Sequence, residues 1–185
     1  MAAKEGERRR RFDALFEAYR EDMVAYCGWR TASPSDAQDA VAEVFLTVWR
    51  RLDELPEGDA ARVWLYATAR RVTSNQRRSS RRRVALHERL AREPAVREDP
   101  SEEDALVREA LLRLSVRDRE VLLLSEWEGL SPAQIAAVVG CLEVTARGRL
   151  HRARRRFRAV FEELGARSDE RLRQSFFVTE GHEHV

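Results

Sequence analysis

Cysteine occurs only at Cys27 and Cys141 in 185 residues, and the two share no metal-type spacing. That leaves no disulfide framework and no zinc motif, and each thiol is expected to be a small buried apolar residue. Histidine is limited to four positions. No His/Asp/Ser or Cys/His constellation and no Gly-rich phosphate loop can be assembled, which argues against an enzyme and against a bound cofactor. His182 and His184 lie two residues apart near the C-terminus, too little for a metal site. Long apolar runs are missing too. The longest, such as Val121 to Leu124 and Ile135 to Val139, fall far below the ~18 residues of a spanning helix. The opening MAAKEGERRRR is basic with no apolar core behind it, unlike a secretory signal. A cytoplasmic protein without membrane insertion is expected.

Lysine is almost absent. Lys4 is the sole lysine among 34 basic side chains, so arginine carries the positive charge. Its rigid fork suits phosphate. Net charge is only +2, yet the arginines are bunched. Eight lie from Arg62 to Arg83 and seven from Arg147 to Arg158, with no acid in either window, so the rest of the chain is net acidic. Two separate basic surfaces suggest two contacts with one polyanion. The competing reading is two solvated arginine-rich helix ends.

Few glycines, prolines and β-branched residues, with abundant Ala, Leu, Arg and Glu, predict an all-α chain. From Arg9 to Trp29, Phe12, Leu15, Phe16, Tyr19, Met23, Tyr26 and Cys27 recur at helical steps and make one apolar face. After a break, Ser33 is a fitting N-cap, Pro34 a fitting first helical residue, and Asp36 suits the positive helix start. This second helix turns Ala37, Val41, Val44, Phe45, Val48 and Leu52 inward, with Asp36, Asp39 and Glu43 on its other side. The loop DELPEGD ends it. A third helix, capped by Asp59, places Trp64, Leu65, Thr68 and Val72 towards the core and runs on to Arg83. Residues 9–83 thus form a three-helix bundle.

Periodicity fades over residues 84–103, where Arg, Glu, Asp, Pro94 and Pro100 dominate, and a flexible linker is expected, with some helix at Ala85 to Ala91. A second bundle is expected over 104–164. Leu106, Ala110, Leu111 and Leu114 form one helix face, and Val121, Leu122 and Leu124 belong to the next helix. Ser131 and Pro132 open a short helix, PAQIAAVV, and Gly140 permits a tight turn into a longer one from Glu143. Two helices joined by a short Gly-containing turn are the helix-turn-helix signature. On the last helix Ala146, Leu150, Ala153 and Phe157 point inward, and Thr145, Arg147, Gly148, His151, Arg152 and Arg155 point outward. Such a helix fits a major groove, where Arg can reach guanine. The tail 165–185, with Phe176, Phe177 and Val178 amid charge, is expected to be loose.

Two stretches then carry a family likeness. Asp36-Ala-Gln-Asp through Phe45-Leu-Thr-Val-Trp49, with Trp64-Leu-Tyr-Ala-Thr-Ala69, resembles region 2 of extracytoplasmic-function (ECF) sigma factors of the sigma-70 family. RDREVLLLSEWEGLSPAQIAAVVG, followed by Thr145 and RLHRARRR, resembles their region 4. The resemblance implies a transcription initiation factor that binds core RNA polymerase, through the largest-subunit clamp and the flap, and directs it to promoter DNA. It implies Asp36, Asp39 and Glu43 at the polymerase, and the loop from Asp53 to Ala61 at the −10 element. Arg71, Asn75, Arg77, Arg78, Arg81, Arg82 and Arg83 would hold the melted strand and its backbone. Thr145, Arg147, Arg149, His151, Arg152 and Arg155 would face the −35 element. An anti-sigma factor is the implied inhibitory partner. The chain departs from the family pattern at Gln38, Ala42, Arg71, Asn75, Ala146 and Gly148. A helix-turn-helix repressor would explain the second half but leave the first bundle without a task.

Overall fold

The computed structural model describes residues 2–84 and 102–179, with side chains at 4–78 and 103–167. Those residues form seven α-helices and one short 3-10 turn, with no strand among them. They are α1 (Ala2–Gly28), α2 (Pro34–Arg50), the 3-10 turn Leu52–Glu54, α3 (Asp59–Val84), α4 (Glu102–Arg113), α5 (Val116–Glu126), α6 (Pro132–Val139) and α7 (Glu143–Thr179). The chain divides into two compact units. In the first, α1 packs on α2 and α3, and α2 packs on α3; residues 134–141, most of α6 and the first two residues after it, also group with this unit. In the second, α7 packs against α4 and α5. No described helix is long and apolar enough to cross a membrane.

The inward set expected on α2 is buried throughout: Ala37, Val41, Val44, Phe45 and Val48, with Leu52 just beyond the helix. α3 departs from expectation. Leu65 and Thr68 are buried, but Trp64 and Val72 are only partly covered, while Ala61, Tyr66, Ala69 and Thr73 fill the core. The reason is that α3 has two helical neighbours, so its apolar face is wider than a single stripe and is rotated towards Tyr66. Tyr66 meets Tyr26 edge-on at 5.3 Å between ring centres. Phe12, Phe16, Phe45 and Trp49 make a second aromatic cluster between α1 and α2, with the Phe16 and Phe45 rings 4.7 Å apart. Such edge-on pairs fix ring orientation as well as burying area.

Two helices start with the same device. Ser33 Oγ accepts from the Asp36 N–H at 3.1 Å and donates to the Asp36 carboxylate at 2.9 Å. Ser115 and Asp118 repeat both bonds at the start of α5, at the same distances. A Ser N-cap with an acid three residues on satisfies an orphan helix donor and places negative charge at the positive helix end.

Helix ends differ from the expected boundaries in four places. α1 begins at Ala2 instead of Arg9, α3 reaches Val84, and α4 opens at Glu102. α7 runs on to Thr179, so residues 165–179 are helical and the loose tail is not borne out there. These extensions carry Ala, Glu, Arg and Leu and no proline, which favours helix even where apolar periodicity has lapsed. Most of the expected linker, with its helix at 85–91, and His182 and His184 lie outside the described residues.

Candidate promoter and polymerase surfaces

On α2, Asp39 and Glu43 are exposed. At about 100° per residue they share the outer stripe with Leu46 and Arg50, opposite Val44 and Val48. Leu46 is 42% exposed, an apolar group set among charges that sequence reading missed. Its position, out of step with the buried Val44, Phe45 and Val48, was the available signal. Asp36 does not join this stripe freely, because its carboxylate is held by Ser33 at the helix cap. The structure therefore separates the three predicted acids into one bonded to the Ser33 cap and two solvent-facing ones.

The loop after α2 is held from below and behind. Leu52 and Leu55 are buried as its two anchors. Arg8 on α1 donates to the Trp49 carbonyl at 2.6 Å, pairs with Asp53 and lies over the Trp49 ring. Arg11, one turn on, donates to the Leu55 carbonyl at 2.7 Å. Arg51 bonds Glu54 at 2.6 Å with its guanidinium 5.9 Å from the Trp64 ring centre. Sequence reading saw basic residues near the N-terminus but had no signal that they reach this loop.

On α3, Trp64, Arg71, Asn75 and Arg78 fall within about 60° of arc on one face. Arg71, Asn75, Arg77 and Arg78 are exposed, and Arg78 donates to the Asn75 side-chain carbonyl at 2.6 Å. A partly exposed indole beside guanidinium groups combines a stacking face with phosphate-binding charge. Arg81, Arg82 and Arg83 continue the helix, but their side chains lie outside the described set.

Between α6 and α7 the chain turns through Gly140, Cys141 and Leu142. Gly140 has φ +71°, a left-handed conformation that costs glycine little, and its N–H and that of Cys141 close on the Ala136 carbonyl at 2.9 and 3.0 Å. The Leu142 carbonyl accepts from Thr145 and Ala146 and so starts α7. Cys27 is buried as expected, whereas Cys141, on this turn, is only partly covered.

The arginines of α7 have two different duties. Arg154 binds Glu126 of α5 at 2.7 Å and Ser125 at 3.2 Å, and Arg156 pairs with the buried Asp118 of α5. These two fasten the unit. Arg147 is exposed and held to Glu143 by two bonds of 2.6 and 3.0 Å. Thr145, His151, Arg152 and Arg155 are exposed, and Arg149 is partly covered at the edge of the packed face. Arg152 and Arg155 have no ion pair among the described residues. Ala146, Leu150 and Ala153 are buried on the opposite side, as expected, with Phe157 partly covered.

Comparison with known proteins agrees with this layout. The family description "Sigma-70 region 2" matches residues 15–83, and "Sigma-70, region 4" matches residues 104–157. The ECF RNA polymerase sigma factor SigL of Mycobacterium tuberculosis is 32% identical over 160 residues, spanning 82% of this chain and 89% of the relative. SigC of the same organism is 30% identical over 150 residues, spanning 78% and 80%. Among solved structures, the sigma factor RpoE in complex with the anti-sigma factor NepR from Bartonella quintana shares the fold at a TM-score of 0.72 and 23% identity, covering 82% of this chain and 96% of that one. CnrH, solved with the cytosolic domain of CnrY, gives 0.61 and 24%, covering 84% and 90%. The chain belongs to the extracytoplasmic-function group of the sigma-70 family, the initiation factors that bind core RNA polymerase and direct it to promoters.

Proposed function

We propose that two segments of the chain divide promoter recognition, with residues 9–83 holding polymerase and the −10 element and residues 104–164 reading the −35 element. Asp39 and Glu43, with Leu46 about one turn beyond Glu43, dock on the largest-subunit clamp. Opposite charge steers and registers such a contact, and the apolar neighbour supplies burial. Asp36 supports that face by bracing the Ser33 cap of the helix that carries it. The loop Asp53 to Ala61 and the α3 face with Arg71 and Asn75 hold unpaired −10 bases, while Arg77, Arg78, Arg81, Arg82 and Arg83 hold the phosphates. On α7, Arg147, Arg152 and Arg155, with Thr145 and His151, face the −35 major groove, and Arg149 supports from the edge. The linker 84–103 threads near the polymerase cleft, the second unit meets the flap, and residues 165–185 form a C-terminal extension. An anti-sigma factor, as in the RpoE–NepR complex, is its inhibitory partner.

The observation that carries this reading is the sorting of α7. Arg154 and Arg156 are paired with acids of α5, while Arg152 and Arg155 are exposed with no ion pair among the described residues. The test is run-off transcription with core polymerase and this protein on sheared genomic DNA, with transcript starts sequenced. Discrete starts sharing upstream −35 and −10 elements, absent without the protein, are expected. Core binding without such starts would leave a sigma-like regulator, and no core binding would leave a helix-turn-helix DNA binder.

A further inference from the structure

Val144, the second residue of α7, is 72% exposed, although valine is a residue that folding ordinarily covers. It leads a stripe. Val144, Gly148, His151 and Arg155 recur at four-, three- and four-residue steps, within about 60° of arc and opposite the buried Ala146, Leu150 and Ala153. Gly148 has no side chain to fill the turn after Val144. A Cβ there would stand 3.4 Å from the Arg152 guanidinium, so the bare position lies between Val144 and the first clear arginine. The result is an apolar knob at the helix start, a notch behind it and cations beyond.

Recognition helices present their N-terminal residues to base edges in the major groove. From Val144 to Arg155 is ~16 Å along the axis, against a groove ~12 Å wide. With Val144 at the base edges, Arg155 stands at the groove wall, beside phosphate. The one apolar group that a base pair offers in the major groove is the thymine 5-methyl. We propose that Val144 is a specificity-determining residue that packs on the 5-methyl group of a thymine in the −35 element, with the Gly148 notch leaving room for that base edge. This deepens the promoter reading above and rests on it. It assigns a base preference to a position with no hydrogen-bonding group.

The test uses holoenzyme formed from core polymerase and the full chain, on duplexes of a promoter found by run-off transcription. Each −35 thymine, on either strand, is replaced singly by deoxyuridine, which removes the methyl and nothing else. Losing contact with one buried methyl corresponds to ~0.8 kcal/mol, about fourfold in affinity. With the natural chain, one replacement is expected to weaken binding about fourfold. With Val144→Ala, binding to the unmodified duplex falls by a similar factor and that replacement has no further effect. Val144 is exposed, and alanine is the better helix former, so the variant folds; circular dichroism checks this. Equal sensitivity to deoxyuridine in both chains, or none in the natural chain, overturns the assignment. Absence of any core-dependent promoter binding overturns the promoter reading with it, and that result is seen before a modified duplex is made.

Discussion

Arg156 on α7 closes an ion pair on Asp118 of α5, whose side chain is 7% exposed, and Ser115 donates to the same carboxylate oxygen at 2.9 Å. One acid thereby braces the Ser115 cap of one helix and fastens that helix to another. Asp118→Ala keeps the capping bond, whose donor is the backbone N–H, but removes the negative charge at the helix start and the charge-assisted bonds, and is expected to lower stability by about 1.5–3 kcal/mol. Arg156→Ala leaves the carboxylate covered without its cation and costs about 1–3 kcal/mol. Urea unfolding followed by circular dichroism measures both. A loss below about 0.5 kcal/mol for Asp118→Ala would show that this contact is not structural.

The two arginine classes on α7 should part company in a salt titration. Arg152→Ala and Arg155→Ala are each expected to reduce the slope of log affinity against log salt by about 0.9, as one phosphate contact is lost. Arg154→Ala, which removes a group held by Glu126, should leave that slope unchanged and lower stability slightly. Equal slopes for all three would sink the division.

Polymerase and promoter contacts should also be separable. Arg147→Ala with Arg152→Ala is expected to weaken −35 binding and spare association with core polymerase. Asp39→Lys with Glu43→Lys should weaken that association at least tenfold and leave the −35 preference alone. Core affinity unchanged in the lysine variant would remove the clamp assignment.

Arg8 and Arg11 hold the loop that follows α2 through the Trp49 and Leu55 carbonyls. Replacing both by Ala is expected to slow promoter opening several-fold, read by permanganate reactivity of unpaired thymines, with core affinity retained. An opening rate equal to that of the natural chain would mean that the loop keeps its shape unaided.

The two thiols should react at different rates. Burial drives the Cys27 pKa up to about 12 from an ordinary 9.0, with the Arg30 charge opposing it only in part. At pH 8 a disulfide reagent is expected to modify the partly covered Cys141 first and Cys27 only on unfolding. The sign follows for stability. An unfolded chain loses the Cys27 proton above pH 9.0 while the folded one keeps it, so this contribution is present below 9.0 and is lost as pH rises towards 12. Simultaneous modification of both thiols in the folded chain would contradict it.

Much of this was legible beforehand because helices announce themselves through spacing. The α2 core, the Ser33 and Pro34 start, the Gly140 turn and the two faces of α7 all follow from local pattern. What was hidden depends on partners distant in sequence. Arg8 meets Asp53 and Trp49, and Arg154 and Arg156 meet α5, and nothing in a run of arginines tells which will find an acid. Trp64 and Val72 were set too deep because one stripe was assumed where α3 serves two neighbours. Val144 went unremarked because a valine beside buried Ala146 looks like core until the helix is turned. The ends of α1 and α7 were missed because they are helical by composition and carry little apolar rhythm.

The bond between Ser33 and Asp36 has a consequence for genetics. A screen for lost polymerase association would return Asp36, Asp39 and Glu43 together, as neighbouring acids with one phenotype. Their suppressors would differ. On the proposed clamp face, loss at Asp39 or Glu43 would remove a group that meets the polymerase, and repair is expected in the polymerase gene. Loss at Asp36 removes negative charge from a helix start, and a second change of Ser33 to Asp, which caps as well and brings that charge back, can restore it within the same gene. Where the compensating mutation maps thus tells the acid at the helix start from the acids proposed to meet the polymerase.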